Sequence, residues 1–235
     1  MHLKTRKFSA FALFNGILLC TMAFIGIVPF LHMASVAFSG PTASSANQVV
    51  LWPLDFNLKA FEKALMDEQL IRSVIVSGKR VIGGTLLTMV LTIITAYPLS
   101  MEAKNFPGRK FYVVYMMIVM LFTGGLIPNY ILVTRMGLTD TIWALILPGA
   151  IPVFNVIVLL NFFRGLPGEV REAAMIDGAD DFKCLLKIYI PMSKPALATL
   201  TMFCIIGHWN AWFDGILYMR DRLKYPLQTY IQTFL

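Results

Sequence analysis

Charged residues are scarce in this sequence. Asp, Glu, Lys and Arg make up 14% of the 235 residues, while hydrophobic residues make up 57%. A soluble domain carries roughly 25% charged residues, so the deficit indicates a membrane protein. The net charge of +7 is not gathered into basic runs with interleaved aromatic side chains, and loop lysines of a membrane protein explain it better. We therefore expect no nucleic acid among the partners.

Cysteines are also few, and they are not arranged as metal ligands. Cys20, Cys184 and Cys204 form no CxxC pair, so neither a disulfide framework nor a zinc site is indicated.

The motifs of several enzyme classes are missing as well. A P-loop requires GxxxxGK followed by Ser or Thr, and the one Gly-Lys pair lies in "SGKR". The sequence contains no HExxH and no GxSxG, and His2, His32 and His208 are far apart. We expect no catalytic residue, metal or cofactor on this chain.

Long apolar stretches dominate what remains. A helix needs about 20 apolar residues to cross a bilayer, and the apolar stretches show no period-two alternation of the kind that a barrel requires. We predict an all-α polytopic membrane protein with a single transmembrane domain over 1–235. The predicted spans are 8–38, 81–101, 111–134, 141–163 and 195–218.

The residues around the first span predict the orientation. Lys4, Arg6 and Lys7 precede this span and no basic residue follows it closely, which places the N-terminus in the cytoplasm. The apolar run is much longer than the 7–15 residues or so of a signal peptide core, so we predict an uncleaved anchor, although small residues in 34–46 leave cleavage open.

This orientation places the connecting segments on alternate sides of the membrane. Residues 40–80 form an external loop in which "FNLKAFEKALMDEQLIRSVIV" predicts an amphipathic helix leading into the second span. Residues 164–194 form a cytoplasmic hairpin, and residues 219–235 form an external tail.

The hairpin reads as two short helices. Pro167 suits a first helical turn, Gly178 can adopt the positive φ that ends a helix, and Asp180 is a suitable N-cap for the second helix. We expect Pro191 to end that second helix, because the residue before a proline avoids helical geometry.

The second hairpin helix carries one apolar stripe at helical spacing, made of Phe182, Leu185, Leu186 and Tyr189. The stripe must be buried on the hairpin's own membrane bundle or on a partner protein, and the residues alone leave both open. Acidic residues such as Glu172, Asp177 and Asp180 give a partner something to recognise.

"EAAMIDGADDFKCLLKIYIP" resembles the cytoplasmic signature of permease subunits in binding-protein-dependent ABC importers. The family pattern is E-A-A, three residues, glycine, nine residues, isoleucine, one residue, leucine and proline, and Ile190 stands here where leucine is usual. The matching residues are Glu172, Ala173, Ala174, Gly178, Ile188 and Pro191. Three further segments look like the sugar-importer branch of this family: "GGLIPNYILVTRMGLTDTIWALILP", "NFFRGLPGEVREAAMIDGA" and "WNAWFDGILY". Within that branch they resemble the maltose-type second permease, and in particular the subunits associated with complex-oligosaccharide uptake.

The resemblance implies a type I ABC importer transmembrane domain. It implies a permease subunit, and no enzyme, for ATP-driven import of an oligosaccharide through a bacterial cell membrane. Family members usually have a sixth span after a segment such as "YPLQTYIQTFL", and we expect that span to be missing here. The implied partners are a second permease, an ATPase homodimer or heterodimer that carries ATP and Mg, an external sugar-binding lipoprotein and membrane lipid.

In this family the hairpin is a coupling helix that docks in a groove of the ATPase. Glu172 would then pair with a basic residue, and the two alanines after it would allow close approach. The expected docking residues are Glu172, Ala173, Ala174, Asp177, Gly178, Phe182, Leu185, Leu186, Ile188 and Pro191.

Polar groups within spans are candidates for the substrate pathway. On a continuous helix Trp209 and Trp212 share one face, while Asn210 and Asp214 share another, and sugars bind to aromatic platforms with amide and carboxylate partners. The alternative for these residues is an aromatic belt at the membrane interface or packing. The full set of candidates adds two weaker ones, Asn129 and Asn155.

Two other classes of protein remain as alternatives. A membrane scaffold would use the hairpin only to recruit a soluble partner. A membrane enzyme acting on lipid-linked sugars would need clustered carboxylates or histidines, whereas the acidic residues here are dispersed.

Overall fold

The computed structural model describes residues 10–102, 104–122 and 124–234, and every regular element in them is helical. The helices are α1 (Ala10–Ala37), α2 (Pro41–Ser45), α3 (Lys59–Met66), α4 (Glu68–Ser100), α5 (Arg109–Leu121), α6 (Leu126–Arg135), α7 (Trp143–Ile146), α8 (Val153–Arg164), α9 (Gly168–Ile176), α10 (Asp181–Cys184), α11 (Ile190–Met192), α12 (Lys194–Asn210), α13 (Phe213–Tyr218) and α14 (Leu227–Gln232). Short 3-10 turns cover Leu147–Gly149 and Arg222–Lys224, and a π-helical turn covers Leu185–Tyr189. The all-α prediction is confirmed for these residues.

Two of the helices, Phe11–Ala37 and Glu68–Ser100, are long and apolar enough to cross a membrane. Three helix pairs meet the same test only as bent units, so the described residues contain up to five spans by length and composition. Lys4, Arg6 and Lys7, on which the predicted orientation rests, and His2 lie outside the described residues.

The chain divides into two compact units, the first ending at Glu68. In the first unit the segment after α1 folds back on the end of that helix. Ser35 Oγ donates to Leu51 O at 2.6 Å, and Ser39 Oγ accepts from Leu54 N at 3.0 Å. The ring of Phe38 stacks on that of Phe56, with 5.6 Å between centroids. These side chains fix the polar connection between α1 and α3.

The amphipathic helix predicted to lead into the second span is interrupted. Asp67 has an extended backbone (ψ 100°) between α3 and α4, so Lys59–Met66 is separate from the long helix that follows. The second helix itself begins at Glu68, well before the predicted start at residue 81. Tertiary burial of α4 residues such as Ser73 and Ser77, both 1% exposed, extends the helix beyond its apolar run.

The core of the second unit, which begins at Gln69, lies between α4, α8 and α12. Its largest fully buried side chains are Phe163, Leu159 and Leu200. The whole buried cluster consists of Met89, Ala96, Tyr97, Leu99, Val156, Leu159, Leu160, Phe163, Leu185, Leu200 and Cys204. A Cβ atom at Gly84 would lie 2.5 Å from His208 Nε2, so the missing side chain lets α4 and α12 approach closely.

Three of the predicted spans are not single straight helices. Residues 111–134 fall on α5 and α6, and the described residues between these helices, 122, 124 and 125, are non-helical. Residues 141–163 fall on Trp143–Gly149 and α8, which meet at 50°. Residues 195–218 fall on α12 and α13, and the chain is non-helical at Ala211 and Trp212.

The break between α12 and α13 is satisfied by protein groups. Ala211 O accepts a hydrogen bond from Arg80 Nη1 at 3.1 Å, and Trp212 O accepts one from Thr229 Oγ1 at 2.8 Å. A Cβ atom at Gly215 would collide with Thr229 Oγ1, so glycine is required there. Since hydrocarbon offers no hydrogen bonds, a broken helix in a membrane protein needs such partners.

Arg80 is the charged centre of this region and its side chain is only 3% exposed. Its guanidinium forms an ion pair with Asp214, with Nη1 3.1 Å from Oδ1, and Nη2 also donates to Asp214 Oδ2 and to Leu145 O. One side chain of α4 therefore holds α7, the helix break and α13.

Asp140 joins the α6–α7 loop to the segment after α13. Its carboxylate accepts from the backbone N–H groups of Asp221 at 3.2 Å and Arg220 at 3.1 Å. The pKa of Asp140 lies below its ordinary value, chiefly because of the N–H group of Asp221. The N–H group of Arg220 and the side chain of Lys224 lower it further. The charged form of Asp140 therefore stabilises this end of the fold.

Removing one partner of the Arg80–Asp214 pair should destabilise the protein. We expect Asp214→Asn to cost about 3 kcal/mol, because it leaves a buried guanidinium without its counter-charge. Lys79→Met, an exposed neighbour on the same helix, is the matched control and should cost less than about 0.5 kcal/mol. Chemical unfolding in detergent would measure both, and equal stability of the two variants would contradict a structural role for the pair.

Candidate functional site

The first turn of the hairpin has the predicted geometry. Gly178 has φ +77°, and its N–H donates to Met175 O at 3.1 Å while Ala179 N donates to Ala174 O at 2.9 Å. These bonds close the end of α9 with a residue in the left-handed region, which glycine adopts without a Cβ penalty. The prediction that Gly178 ends the first helix is confirmed.

The second hairpin helix is capped as expected. Asp180 has an extended backbone and its Oδ1 accepts from Lys183 N at 2.8 Å, which is the N-cap interaction. Pro167 lies one position earlier than predicted, as the N-cap residue of Gly168–Ile176.

The prediction that Pro191 ends the second helix is wrong. A π-helical turn covers Leu185–Tyr189, in which Ile190 N donates to Leu185 O, and α11 then passes through Pro191 to Met192. Proline in a helix lacks an N–H and its ring clashes with the carbonyl four residues earlier. The wider π turn provides room for the ring, so the chain stays helical.

The apolar stripe of the second helix is divided between two environments. Leu185 is 6% exposed and belongs to the core cluster, and Tyr189 packs against that cluster. Phe182 is 66% exposed and Leu186 is 48% exposed. The structure thus buries part of the stripe on the hairpin's own bundle and leaves the other part uncovered within this chain.

Aromatic rings fasten the hairpin to the bundle. Tyr189 meets the ring of Tyr97 edge-on, with 5.0 Å between centroids, and the ring of Phe163 at 5.4 Å. Such pairs contribute about 0.5–1.5 kcal/mol beyond their burial. Burial of the ring in this contact raises the pKa of Tyr189 above its ordinary value.

An ion pair ties the two hairpin helices together. Arg171 Nη2 on α9 lies 3.0 Å from Asp181 Oδ1 on α10, and the Arg171 side chain is only 13% exposed. Tyr97 Oη donates to the same carboxylate oxygen at 3.4 Å. Neither Arg171 nor Asp181 was among the predicted site residues, because their partnership requires the turn at Gly178 to be closed first.

The opposite side of the hairpin is exposed. Glu172, Ala173, Asp177, Gly178 and Pro191 are exposed, while Ala174 and Ile188 are half-buried. Ile176 is 86% exposed, and the sequence analysis did not select it. Its position two residues before the turn glycine, Gly178, is the feature of the sequence that could have indicated an exposed apolar side chain here.

The hairpin lies across the end of α12. The helical run Asp181–Met192 meets Lys194–Asn210 at 82°, and the corner residue Ser193 is fully buried. The exposed turn of the hairpin therefore projects sideways from the axis of α12.

The helix break changes the interpretation of the predicted substrate-pathway residues. Ala211 and Trp212 are non-helical, so the predicted pairings of Trp209 with Trp212 and of Asn210 with Asp214 on one helix are wrong. The physical reason is the set of hydrogen bonds from Arg80 and Thr229 to the broken segment. Asp214 itself is engaged by Arg80.

The other pathway candidates differ in exposure. Trp209, Asn210, Trp212 and Asn129 are exposed in this chain. Asn155 is 7% exposed, and its Nδ2 lies 3.4 Å from Cys204 Sγ, which is an interhelical packing contact between α8 and α12. Across the described ranges, no cluster of three His, Cys, Asp or Glu residues could hold a metal ion.

Comparisons with known proteins agree with this architecture. The family described as binding-protein-dependent transport system inner membrane component matches residues 70–218. The chain is 36% identical over 230 residues to the polygalacturonan/rhamnogalacturonan transport system permease protein YtcP of Bacillus subtilis (strain 168), covering 98% of this chain and 79% of that protein. It is 36% identical over 228 residues to Protein LplC of the same organism, covering 97% of this chain and 76% of that protein.

A solved structure is similar over the same length. It is the crystal structure of a bacterial ABC transporter involved in the import of the acidic polysaccharide alginate. The similarity has a TM-score of 0.91 at 30% identity and covers 97% of this chain and 82% of that chain. The fold, the hairpin and these relatives together show that the chain is a multi-pass membrane permease of the ABC transporter type and belongs to the family of binding-protein-dependent transport system inner membrane components.

Proposed function

We propose that this chain forms part of the translocation pathway for ATP-driven import of an oligosaccharide and is coupled to a separate ATPase through the hairpin 164–194. The observation that carries the proposal is the two-sided hairpin. One side is locked into the bundle by Leu185 and Tyr189, and the other exposes the turn around Gly178. An element that transmits movement needs both attachments.

The exposed side has the chemistry of a docking surface. Ile176 and Phe182 are large apolar side chains without cover in this chain, and the acidic residues Glu172 and Asp177 of the same hairpin are also exposed. Apolar anchors surrounded by charge are typical of protein interfaces. A basic groove in an ATPase would complement them. The proposed docking residues are those predicted from the sequence, with Ile176 added and with Leu185 acting from the bundle side.

The proposed assembly follows from this arrangement. A second permease completes the pathway, two ATPase subunits carry ATP and Mg, and an external lipoprotein delivers the sugar. This chain then has no enzymatic role of its own. The hairpin faces the cytoplasm, and with alternating spans the N-terminus is on the same side.

The cargo class comes from the relatives. The names of three related permease proteins refer to polygalacturonan/rhamnogalacturonan, diacetylchitobiose and maltodextrin, and all of these are saccharides of more than one unit. We therefore assign an oligosaccharide, with acidic oligosaccharides as the first to test, since the similar solved transporter imports alginate.

For the pathway we propose Trp209, Asn210 and Trp212 as contacts near the helix break, with Asn129 as a further candidate. All are exposed in this chain and carry sugar-binding groups. We propose that Asp214 and Asn155 act by positioning, because their polar groups are occupied by Arg80 and Cys204.

The coupling role predicts a sharp effect at the turn. Gly178→Val should reduce sugar uptake by about tenfold or more, because a β-branched residue is strained at φ +77° and the turn would reshape. Gly168→Val is the matched control, since a side chain there meets nothing within 4 Å. The measurement is uptake and ATPase stimulation in reconstituted vesicles, with chain abundance checked separately. Normal uptake with Gly178→Val would exclude the coupling role. A wild-type chain that recruits the ATPase normally but supports no sugar uptake would instead favour the membrane scaffold.

The docking role predicts weaker assembly for Phe182→Ala. We expect the affinity of the permease pair for the ATPase to fall about thirtyfold, corresponding to a hot-spot loss of about 2 kcal/mol. Phe111→Ala removes a similarly exposed ring on α5 and should leave the affinity unchanged. The measurement is a titration of the ATPase onto the surface-immobilised permease pair in detergent. Equal affinities for the two variants would refute docking through Phe182.

The pathway role predicts a transport defect without an assembly defect. Trp209→Ala should lower uptake of a labelled galacturonan oligosaccharide about fivefold, as expected for loss of one aromatic contact of about 1 kcal/mol. Basal ATPase activity should persist. Trp143→Ala, also exposed, is the control, and an equal defect in both variants would indicate general damage to the membrane interface.

A further inference from the structure

An open groove runs between α5 and α8, at the end of the bundle that carries the hairpin. Its volume is about 300 Å³, and its walls are almost entirely apolar, with three methionines from α5. The lining side chains include Val113, Met116, Met117, Met120, Ile157 and Leu160. Methionine adapts its shape to irregular occupants, so this groove suits a flexible hydrocarbon chain.

Two arginines stand at one end of the groove. Arg109 is the first residue of α5 and Arg164 is the last residue of α8, and both side chains line the groove. Arg109 is held in place because its Nε donates to Leu99 O at 2.9 Å. Its terminal nitrogens remain available for an anion. Among the residues that the structure describes, neither arginine forms an ion pair.

The same arginines also line an adjoining cleft of about 490 Å³ beneath the hairpin. The basic residues of that cleft, Lys104, Arg109, Arg164 and Arg171, outnumber its acidic residues. Glu102 pairs with Lys104 at 2.9 Å, and Glu172 is the other carboxylate of the lining. Arg171 is also present, paired with Asp181. The end of the groove is therefore a basic site next to an apolar channel.

The level of these arginines fits a membrane surface. Arg109 lies just before the predicted span 111–134, and Arg164 just after the predicted span 141–163. A basic pocket between transmembrane helices at that depth binds anionic lipid headgroups. Guanidinium groups also bind phosphate with two parallel hydrogen bonds.

We infer that the groove between α5 and α8 binds one anionic phospholipid, with its phosphate at Arg109 and Arg164 and an acyl chain along the methionines of α5. The charge at one end and the apolar walls along the remainder match the two parts of such a lipid. An inorganic phosphate would leave the apolar walls unused, and an apolar helix of a second permease would leave the arginines unpaired.

The test uses the complete transporter, with its second permease and ATPase, purified in detergent. Dioleoylphosphatidylglycerol should raise the Tm of the wild type, while dioleoylphosphatidylcholine and inorganic phosphate alone should not. Arg109→Gln and Arg164→Gln should each raise the half-saturating lipid concentration about fivefold, as expected for one basic residue at an anionic surface. Lys110→Gln, an exposed neighbour outside the groove, should respond as the wild type does.

A second pair of variants tests the apolar part of the site. Val113→Trp fills the groove, whereas Val114→Trp places the same ring on an adjacent exposed position outside it. Native mass spectrometry should show retained phosphatidylglycerol in the wild type and with Val114→Trp, and loss of that lipid with Val113→Trp.

Three results would overturn the inference. Equal stabilisation by the two lipids would remove the charge argument, and an equal effect of inorganic phosphate would make the ligand a free anion. A disulfide between Val113→Cys and a cysteine introduced into the second permease, with no retained lipid in the wild type, would show that the groove is a protein interface. None of these outcomes bears on whether the hairpin couples to an ATPase.

Discussion

The interaction on which the rest of the structure depends is the one between Arg80 and the broken helix at Ala211. A helix break exposes carbonyl groups that hydrocarbon cannot satisfy, and a buried arginine is costly unless it is paired. Here the arginine satisfies the exposed carbonyl group and is itself paired, since its guanidinium binds Ala211 O, Leu145 O and Asp214. The arrangement fixes α13 and lets Trp212 leave the helical path, which places the proposed pathway residues at a bend.

The long helix α4 connects this break to the hairpin. Arg80 is the thirteenth of its 33 residues, and Tyr97, which contacts Tyr189 of the hairpin, lies 17 residues later, about 25 Å along the axis. A long helix attached at two points along its length is the kind of part that transmits a movement between two arrangements. The structure thus gives the proposed coupling a physical route, from the hairpin turn through aromatic contacts to the helix break.

The sequence could predict those features of the hairpin that depend on residues close in the chain. The positive φ of Gly178 and the N-cap at Asp180 follow from local chemistry, and the family signature follows from spacing. It could not predict the π turn at Leu185–Tyr189 or the division of the apolar stripe, since both depend on which side chains the core accepts. The helix break could not be predicted either, because it depends on a contact between Arg80 and Ala211, which are 131 positions apart in the chain.

The polar residues within the spans show why such positions need a structure for their interpretation. A polar group in a span is a functional candidate by default, and that rule selected Asp214 and Asn155. Asp214 serves as the counter-charge of Arg80, and Asn155 joins α8 to α12 through Cys204. Exposed Trp209 and Asn210 have no such engagement within the part of the chain that the structure describes, so a polar or aromatic group that the fold leaves unused is the better marker of a pathway. The same reasoning favours the exposed side of the hairpin over its buried side as the place where a partner binds.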